Sequence, residues 1–252
     1  DVNVISNFGH YYMVTAGATN LSFWAHVDVK PANMVMKQPG KNLELDRSKY
    51  YVMFQVSDGD AMRVLTSFEC AHRHEEAAPW LSEDRGKVPI AWGTQPLAAE
   101  LWPGILEYYK KTATANDSFF AGPSIGGYCY PHVMTNLEEY GKLVGEMMNK
   151  TGLEVGEIWG GFDPQSLSIL KKYCPGIKCF TNKANGANRP GCNLWLSDGT
   201  AIEQSASHLW HPEIDSAKEL KEKLNVIVSV KQPPYFITIY HAPVHTLKIA
   251  LI

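Results

Sequence analysis

Residues 50–60 read Tyr-Tyr-Val-Met-Phe-Gln-Val-Ser-Asp-Gly-Asp, and this stretch sets the fold hypothesis. Its first seven residues are mostly β-branched or aromatic, which is typical of a buried strand. The Ser-Asp-Gly-Asp at 57–60 is a turn sequence. A buried strand that runs straight into a polar turn is typical of a parallel sheet, so the rest of the chain is expected to alternate strands with helices.

That alternation extends over most of the sequence. Besides 50–56, strands are predicted at 88–92, 118–122, 154–159, 178–181, 200–204 and 235–240, with one or two more within 11–16 and 21–27. Helices are predicted at 62–76, 97–109, 136–149, 163–173 and 215–224. Thr135 and Glu138 have the spacing of a capping box, and Asp163 and Pro164 that of an N-cap followed by proline.

Seven or eight strands alternating with helices predict parallel β/α units. A closed barrel and an open, doubly wound sheet share this pattern. The glycine-rich nucleotide fingerprints that would favour the open sheet are absent from the sequence. The predicted fold is therefore a β/α barrel, similar in type to a TIM barrel. We expect residues 1–252 to form one such domain of a longer multidomain protein, because the chain starts without Met and stops within an apolar pattern.

Composition excludes several classes of protein. The 252 residues carry 23 Lys and Arg against 26 Asp and Glu, a formal net charge of −3, so no basic surface for nucleic acid is expected. No apolar run reaches the roughly 18–20 residues of a membrane span. Hydrophobic residues make up 45% of the chain, which excludes intrinsic disorder.

Sequons and cysteines indicate the compartment. Asn20, Asn116 and Asn149 each begin an Asn-x-Ser/Thr sequon, which favours a secreted glycoprotein. The five cysteines contain no C-x-x-C pair, so neither a zinc ribbon nor a thioredoxin-type site is expected. A disulfide within the group Cys174, Cys179 and Cys192 and a set of buried free thiols are equally compatible with the sequence.

Polar and aromatic residues gather where the predicted strands end, which is where a β/α barrel builds its site. Carboxylates can bond sugar hydroxyls and aromatic rings can stack on sugar faces, so this set predicts a carbohydrate ligand. Its members are Asp58, Asp60, Trp92, Ser124, Tyr128, Tyr130, Trp159, Asp163 and His241.

Each of these residues also has a purely structural interpretation. Asp58 and Asp60 can form a tight turn, and Asp163 a helix cap. Trp92 and Trp159 can be core or rim packing. Two further acids, Glu157 and Glu203, lie within predicted strands; one of them can be a barrel-interior acid with a raised pKa, or either can face solvent.

Residues 122–131, Gly-Pro-Ser-Ile-Gly-Gly-Tyr-Cys-Tyr-Pro, resemble the signature of the GxGYxYP family of glycoside hydrolases. Residues 56–60, 113–117 and 119–124 are similar to other typical stretches of that family, and the resemblance extends from about Asn20 to His241. The motif's first glycine is Ile125 here, whereas Gly127, Tyr128, Tyr130 and Pro131 are retained. The resemblance implies a barrel-type domain that processes sugars, and it favours Asp58 and Asp60 as more than a turn.

The predicted function is that of a secreted glycoside hydrolase that needs no cofactor and no metal. Its chemistry requires one protonated and one ionised carboxyl group. We expect Asp58 and Asp60 to supply one of these, and Glu203, Glu157 or Asp163 the other. The tyrosines of the 122–131 loop, with Trp92 and His241, would line the sugar site.

Two alternatives belong to other classes. A non-catalytic carbohydrate-binding or structural domain would keep the barrel and lack one acid. A metal-dependent, deacetylase-like hydrolase would use Asp58, Asp60 and His241 as ligands.

Overall fold

The computed structural model describes residues 1–13, 15, 18–36, 44–56, 79–182, 192–204, 207–209 and 216–241. The helices are α1 (Val2–Asn7), α2 (Leu21–Trp24), α3 (Pro31–Met34), α4 (Ala98–Leu101), α5 (Pro103–Thr112), α6 (Leu137–Thr151), α7 (Pro164–Tyr173) and α8 (Ala217–Val230). The strands are β1 (Tyr50–Val56), β2 (Ile90–Thr94), β3 (Asp117–Ala121), β4 (Val155–Ile158), β5 (Cys179–Asn182), β6 (Cys192–Trp195), β7 (Ala201–Gln204), β8 (Ser207–Leu209) and β9 (Tyr235–His241).

These nine strands form one sheet in the order β6-β7-β5-β4-β3-β2-β1-β9-β8, nearly closed into a barrel. All neighbours run parallel except β6, which is antiparallel to β7. The predicted α/β barrel is thus confirmed.

The two ends of the sheet approach each other through β7 and β8, which follow each other closely in sequence. β7 pairs with β5 on one side of the gap, and β8 pairs with the end of β9 on the other. β6 lies beside β7 at this junction, and the Asn193 side chain bonds to the backbone of Phe236 in β9. We call this junction of β6, β7 and β9 the seam.

The main core lies between the sheet and the helices around it. Side chains from one face of β1, β2, β3, β4, β5 and β7 enter this core, including Trp92, Phe119, Ile158, Phe180 and Ile202. A smaller core packs α8 against Ile237 and Ile239 of β9. The alternate side chains of the same strands therefore face the barrel interior.

Helix α6 matches its prediction within two residues, whereas its predicted cap does not form. Asn136, not Thr135, occupies the N-cap position and makes no side-chain capping bond. Asp163 caps α7 as expected, by accepting a hydrogen bond from the Ser166 N–H at 2.8 Å.

Three other local predictions are wrong. The segment 21–27, predicted as a strand, contains helix α2. The helix predicted over 97–109 is two helices that meet at Trp102, because Pro103 has no N–H to continue α4 and instead starts α5. The last helix, predicted at 215–224, spans Ala217–Val230 and has Ser216 as its N-cap. The helix predicted at 62–76 lies outside the described residues.

Of the two alternatives for Cys174, Cys179 and Cys192, the structure shows free thiols and no disulfide among the described residues. Cys174 and Cys179 are both free thiols, and every pairing within the predicted trio needs one of them. Cys174 ends α7 in the main core, whereas Cys179 lies on the inward face of β5, so the sheet separates them. Burial raises the pKa of both thiols to about 12, which keeps them protonated.

Within the described part of the chain, no helix has both the length and the apolar character that crossing a bilayer demands.

Candidate active site

Six inward-facing side chains occupy the same position in their strands, one residue before the carboxyl end. We call them the inner ring: Gln55, Phe120, Glu157, Thr181, Glu203 and Tyr240. All six are buried, with at most 9% of their surface exposed. The carboxyl ends of parallel strands meet at one end of a barrel, and β/α barrels have their active sites at that end. The inner ring therefore lies at the bottom of the expected active site.

A hydrogen bond crosses the barrel at this level. Gln55 of β1 donates through Nε2 to Oγ1 of Thr181 in β5, over 3.2 Å. The two strands are separated by three others in the sheet. The interior is therefore narrow enough for polar side chains from facing strands to touch, and at this level five of the six side chains of the inner ring carry hydrogen-bonding groups.

Two acids of the inner ring lie on either side of Thr181. Glu157 pairs in register with Thr181, and Thr181 pairs in register with Glu203. With strands about 4.8 Å apart, the two glutamates have Cα atoms about 10 Å apart on one face of the sheet. The register thus places two carboxyl groups on the same side of the barrel, with one strand between them.

Glu203 is buried, and no cation among the described residues compensates its charge. Its Oε1 has no hydrogen-bond partner among the described residues. Burial raises the pKa of this carboxyl group, and Thr238 of β9 offsets part of the rise through its hydroxyl and backbone N–H. The Thr238 hydroxyl nevertheless makes no well-aligned hydrogen bond in the described structure. Glu203 is therefore an acid that holds its proton to a higher pH than usual.

Glu157 is fully buried and depends on a glycine beside it. A Cβ at Gly122 would lie 2.6 Å from Oε2 and 3.0 Å from Cβ of Glu157. A side chain at position 122 would overlap the carboxylate. Because Gly122 has no side chain, the Glu157 carboxylate can lie against the end of β3. This direction leads away from Glu203 and widens the space between the two carboxyl groups.

The loop after β3 carries the family-like signature and is rigidly held. The Ser124 hydroxyl donates to the Cys129 carbonyl at 2.6 Å and accepts from the Trp159 N–H at 3.1 Å. Tyr140 of α6 donates its hydroxyl hydrogen to the Ser124 carbonyl at 2.7 Å and accepts from the Gly126 N–H at 3.0 Å. These bonds fix the loop beside β4.

Ile125 stands in this loop where the signature has glycine. Its φ is 72°, in the left-handed region, where a β-branched residue is strained by roughly 1–2 kcal/mol. The side chain is completely buried in the main core against Gly156. Burial of an isoleucine side chain is worth about 1.5–3 kcal/mol, enough to offset the strain. The loop thus keeps the left-handed backbone without the glycine.

Aromatic side chains from this loop form a wall at the same end of the barrel. Tyr128 meets Trp159 edge to face, with ring centroids 4.9 Å apart, and stacks on Tyr12 at 5.0 Å. Tyr130 stacks on His132 at 6.0 Å. Tyr12 was not predicted, because nothing in the sequence links residue 12 to a loop more than a hundred residues later.

The other predicted site residues lie elsewhere or are engaged. Trp92 is fully buried in the main core, on the opposite face of the sheet from the inner ring, and donates to Oδ1 of Asp117. The Ser124 hydroxyl is used within the loop. Asp163 holds both the N–H and the hydroxyl of Ser166, which lower the pKa of its carboxyl group. None of these three contributes a group to the inner ring.

Asp163 also borders an open cleft of about 370 Å³ outside the barrel. The cleft runs along the first turns of α6 and α7, and its walls include His132, Glu138 and Gln165. It lies beside the aromatic wall, so Asp163 belongs to this outer cleft.

Asp58 and Asp60 lie outside the described residues. His241 is the last residue of β9 and pairs in register with Val56, although its side chain is not described. Among the described side chains, no three acids, histidines or cysteines cluster closely enough to hold a metal ion.

The inner ring contains residues that the sequence did not single out. Gln55, Thr181 and Tyr240 were assigned only to strands. A signal existed for Gln55, because it is the single amide in an otherwise apolar strand and stands one residue before its end.

Comparison with known proteins identifies the relatives of this chain. Residues 48–242 match the family model described as "GxGYxYP putative glycoside hydrolase C-terminal domain". A crystal structure of "a putative hydrolase from Bacteroides thetaiotaomicron VPI-5482" superimposes with a TM-score of 0.80 at 20% sequence identity. The match covers 96% of this chain and 48% of that one, so the chain spans about half the length of this structural relative. At that identity the likeness concerns the fold. No curated protein matches the sequence.

Proposed function

Because the chain belongs to the GxGYxYP family, in the part described as its C-terminal domain, we propose that it is the catalytic barrel of a glycoside hydrolase. Glu203 is the general acid and Glu157 the second carboxylate of this proposal. The observation that carries it is the register of Glu157, Thr181 and Glu203, which puts two buried carboxyl groups on one inward face. Hydrolysis of a glycosidic bond requires such a pair.

The roles follow from the surroundings of each acid. Glu203 is buried with no cation among its described neighbours, and its raised pKa favours the protonated form that a general acid needs. In the proposed reaction it gives its proton to the glycosidic oxygen as the bond from that oxygen to the anomeric carbon breaks. Water adds to the carbon, and its released proton goes to the second carboxylate.

The spacing favours inversion of the anomeric carbon. The Cα atoms are about 10 Å apart, Thr181 separates the two side chains, and Glu157 leans towards Gly122. Inverting enzymes hold their carboxyl groups about 6.5–9.5 Å apart to admit a water molecule, whereas retaining enzymes hold them at about 5–5.5 Å. We therefore expect the water to attack from the Glu157 side.

Asp58 and Asp60 stay a prediction for the second carboxylate. They follow β1 in the sequence, only a few residues after Gln55, and this proximity in sequence keeps them as candidates. The assignment to Glu157 and the assignment to Asp58 or Asp60 differ in which substitution abolishes turnover.

The aromatic wall supports a carbohydrate as the substrate. Tyr12, Tyr128 and Trp159 form one contiguous aromatic surface, and Tyr12 is 43% exposed. Aromatic faces stack against the C–H groups of sugar rings while their polar edges remain available for hydrogen bonds. The polar inner ring next to this surface suits the hydroxyl-rich part of the same ligand.

The test compares Glu203→Gln and Glu157→Gln with Glu154→Gln. Glu154 directly precedes β4, at the opposite end of the barrel from Glu157, and pairs with Lys178 at 2.8 Å. Turnover is measured on a panel of glycosides with good and poor leaving groups. Loss of either ring carboxyl should reduce the rate by about 10²–10⁴-fold, whereas the Glu154 variant should keep wild-type activity.

The leaving group separates the two roles. An acidic dinitrophenol departs without a proton, so the Glu203 variant should recover most of its rate on dinitrophenyl glycosides, and the Glu157 variant should not. Wild-type activity in the Glu157 variant would transfer its role to Asp58 or Asp60. Binding of glycans by a wild-type protein that cleaves none of them would favour the non-catalytic alternative.

Secretion stays a prediction that rests on the sequons. Asn20 and Asn149 are exposed and accessible to modification. Asn116 is half-buried, and its amide donates to the Gly86 carbonyl at 2.6 Å. We therefore propose Asn20 and Asn149 as the glycosylated positions.

A further inference from the structure

One side chain bridges the seam and makes the backbone bonds of a neighbouring strand. Asn193 of β6 donates through Nδ2 to the Phe236 carbonyl and accepts through Oδ1 from the Phe236 N–H, both over 3.2 Å. This is the pair of bonds that a neighbouring strand would make to Phe236. The amide of Asn193 is therefore a clasp between β6 and β9.

The clasp is adjacent to the proposed acid. Asn193 pairs in register with Glu203 across the β6–β7 ladder. On the other side of the seam, Thr238 lies two residues after Phe236 in β9 and interacts with the Glu203 carboxyl group. Since backbone groups two residues apart point to the same edge of a strand, Asn193 and Glu203 meet successive positions along the seam edge of β9.

We propose that Asn193 is a positioning residue, whose clasp on Phe236 keeps the seam closed and holds Glu203 in the dry interior of the barrel. The inference rests on the proposed role of Glu203. Without the clasp, β6 loses its direct bonds to Phe236, and water gains access to the Glu203 carboxyl group beside the seam. A hydrated carboxyl group ionises at a lower pH and is a poorer proton donor at neutral pH.

The other described groups that face Glu203 do not account for its protonation. On the inward faces of the neighbouring strands, the described titratable side chains are Cys179 of β5, Glu157 of β4 and Tyr240 of β9. The Cys179 thiol stays neutral at ordinary pH. Among these groups none is a cation, so exclusion of water is what sets the protonation of Glu203.

The experiment measures the protonation of Glu203 directly, by ¹³C NMR titration of the side-chain carboxyl groups, with Glu203→Gln used for assignment. The variants are Asn193→Ala and Asn193→Ser, and the serine keeps one hydrogen-bonding group at the seam. Asn116→Ala is the matched control, since it also removes an amide bond to a backbone carbonyl, beside the N-terminal end of β3.

The alanine variant should lower the pKa of Glu203 towards the ordinary value for glutamate. The serine variant should lower it partly, and the control should leave it unchanged. In the active enzyme, the alkaline limb of kcat/KM should move to lower pH by the same amount. Because the titration needs no substrate, it tests the clasp even if the proposed hydrolase activity fails.

An unchanged Glu203 pKa in folded Asn193→Ala would overturn the inference. Failure of both seam variants to fold would overturn it as well, because Asn193 would then be a stability residue only. Amide hydrogen exchange at Phe236, which should accelerate in the alanine variant relative to Ile239, shows whether the seam has opened.

Discussion

Each end of the barrel contains a buried acid, and the two acids differ in whether hydrogen-bond donors and a cation compensate their charge. At the N-terminal end, Asp117 begins β3 with its side chain 1% exposed. Its carboxylate accepts hydrogen bonds from Arg85 at 2.5 Å, Trp92 at 2.8 Å and the Thr114 N–H at 2.7 Å. At the C-terminal end, Glu203 is almost as buried and has neither a cation nor a partner for Oε1 among the described residues.

This difference in compensation indicates that Asp117 stabilises the fold and that Glu203 serves the reaction. A carboxylate that is paired with a cation and bonded by two further donors has nothing left to offer a ligand, and its removal leaves those partners unsatisfied. A carboxyl group buried without compensation destabilises the fold and is retained where its reactivity is useful. The comparison assigns the first role to the N-terminal end of the barrel and the second to the C-terminal end.

The largest expected effect is on stability at the N-terminal end. Asp117→Ala should lower the free energy of unfolding by about 3–5 kcal/mol, because it leaves the Arg85 guanidinium uncompensated. Urea denaturation measures this. Asp84→Ala, which removes the partly exposed partner of Lys87, is the control and should cost no more than about 1 kcal/mol. A loss below that of the control would mean that the Asp117 network does not stabilise the barrel.

A smaller effect, on both stability and turnover, is expected from a substitution beside Glu157 at the C-terminal end of the barrel. Gly122→Ala introduces a Cβ that overlaps the carboxylate, and should cost about 1–3 kcal/mol of stability. Displacement of the carboxylate by about 1 Å should also lower turnover by about 10²-fold. Gly176→Ala is the control, since no atom within 4 Å of its Cβ would obstruct it and its φ is not left-handed. Equal activity in both variants would contradict a role for Glu157 in the reaction.

The smallest effect is a gain in stability at Glu203. Its pKa is higher in the folded than in the unfolded state, so its contribution to stability is greatest at low pH and is lost as the pH rises through the folded value. Glu203→Gln should therefore raise the melting temperature at pH 7–8, and the difference should vanish below about pH 4. Melting curves of the wild type, this variant and Glu154→Gln across pH measure it. A destabilised Glu203 variant at pH 8 would show that the ionised carboxyl group is compensated after all.

The sequence predicted the barrel because strands and helices leave a periodic pattern. The apolar runs at 50–56 and 235–240 match β1 and β9 within one residue, and the 3.6-residue period at 136–149 matches α6 closely. Local signals failed where packing overrides them. Phe23 and Trp24 are typical strand residues, yet they lie in the short helix α2, where Trp24 stacks on Trp102.

The site was harder to predict, because both faces of a barrel strand are buried. The sequence places Glu157 and Glu203 in strands but does not determine whether their side chains face the barrel interior or solvent. Only the register shows that both face inward beside Thr181. The sequence predicts Trp92 in the sugar site, whereas the structure places it in the main core. The reason is the same, because a buried strand has no alternation of polar and apolar residues that would distinguish its two faces. The seam depends on β6, a four-residue strand that no pattern in the sequence marked.

The residues that anchor the signature loop are not all in the part of the chain that sequence comparison recognises. Tyr12 and Tyr128 exchange two backbone hydrogen bonds, of 3.2 and 2.8 Å, and the Ser6 hydroxyl accepts from the Tyr130 N–H at 2.8 Å. The family match begins only at residue 48. The part of the chain that such a match delimits therefore lacks residues that hold the loop, and an excision at residue 48 would remove one side of the loop for which the family is named.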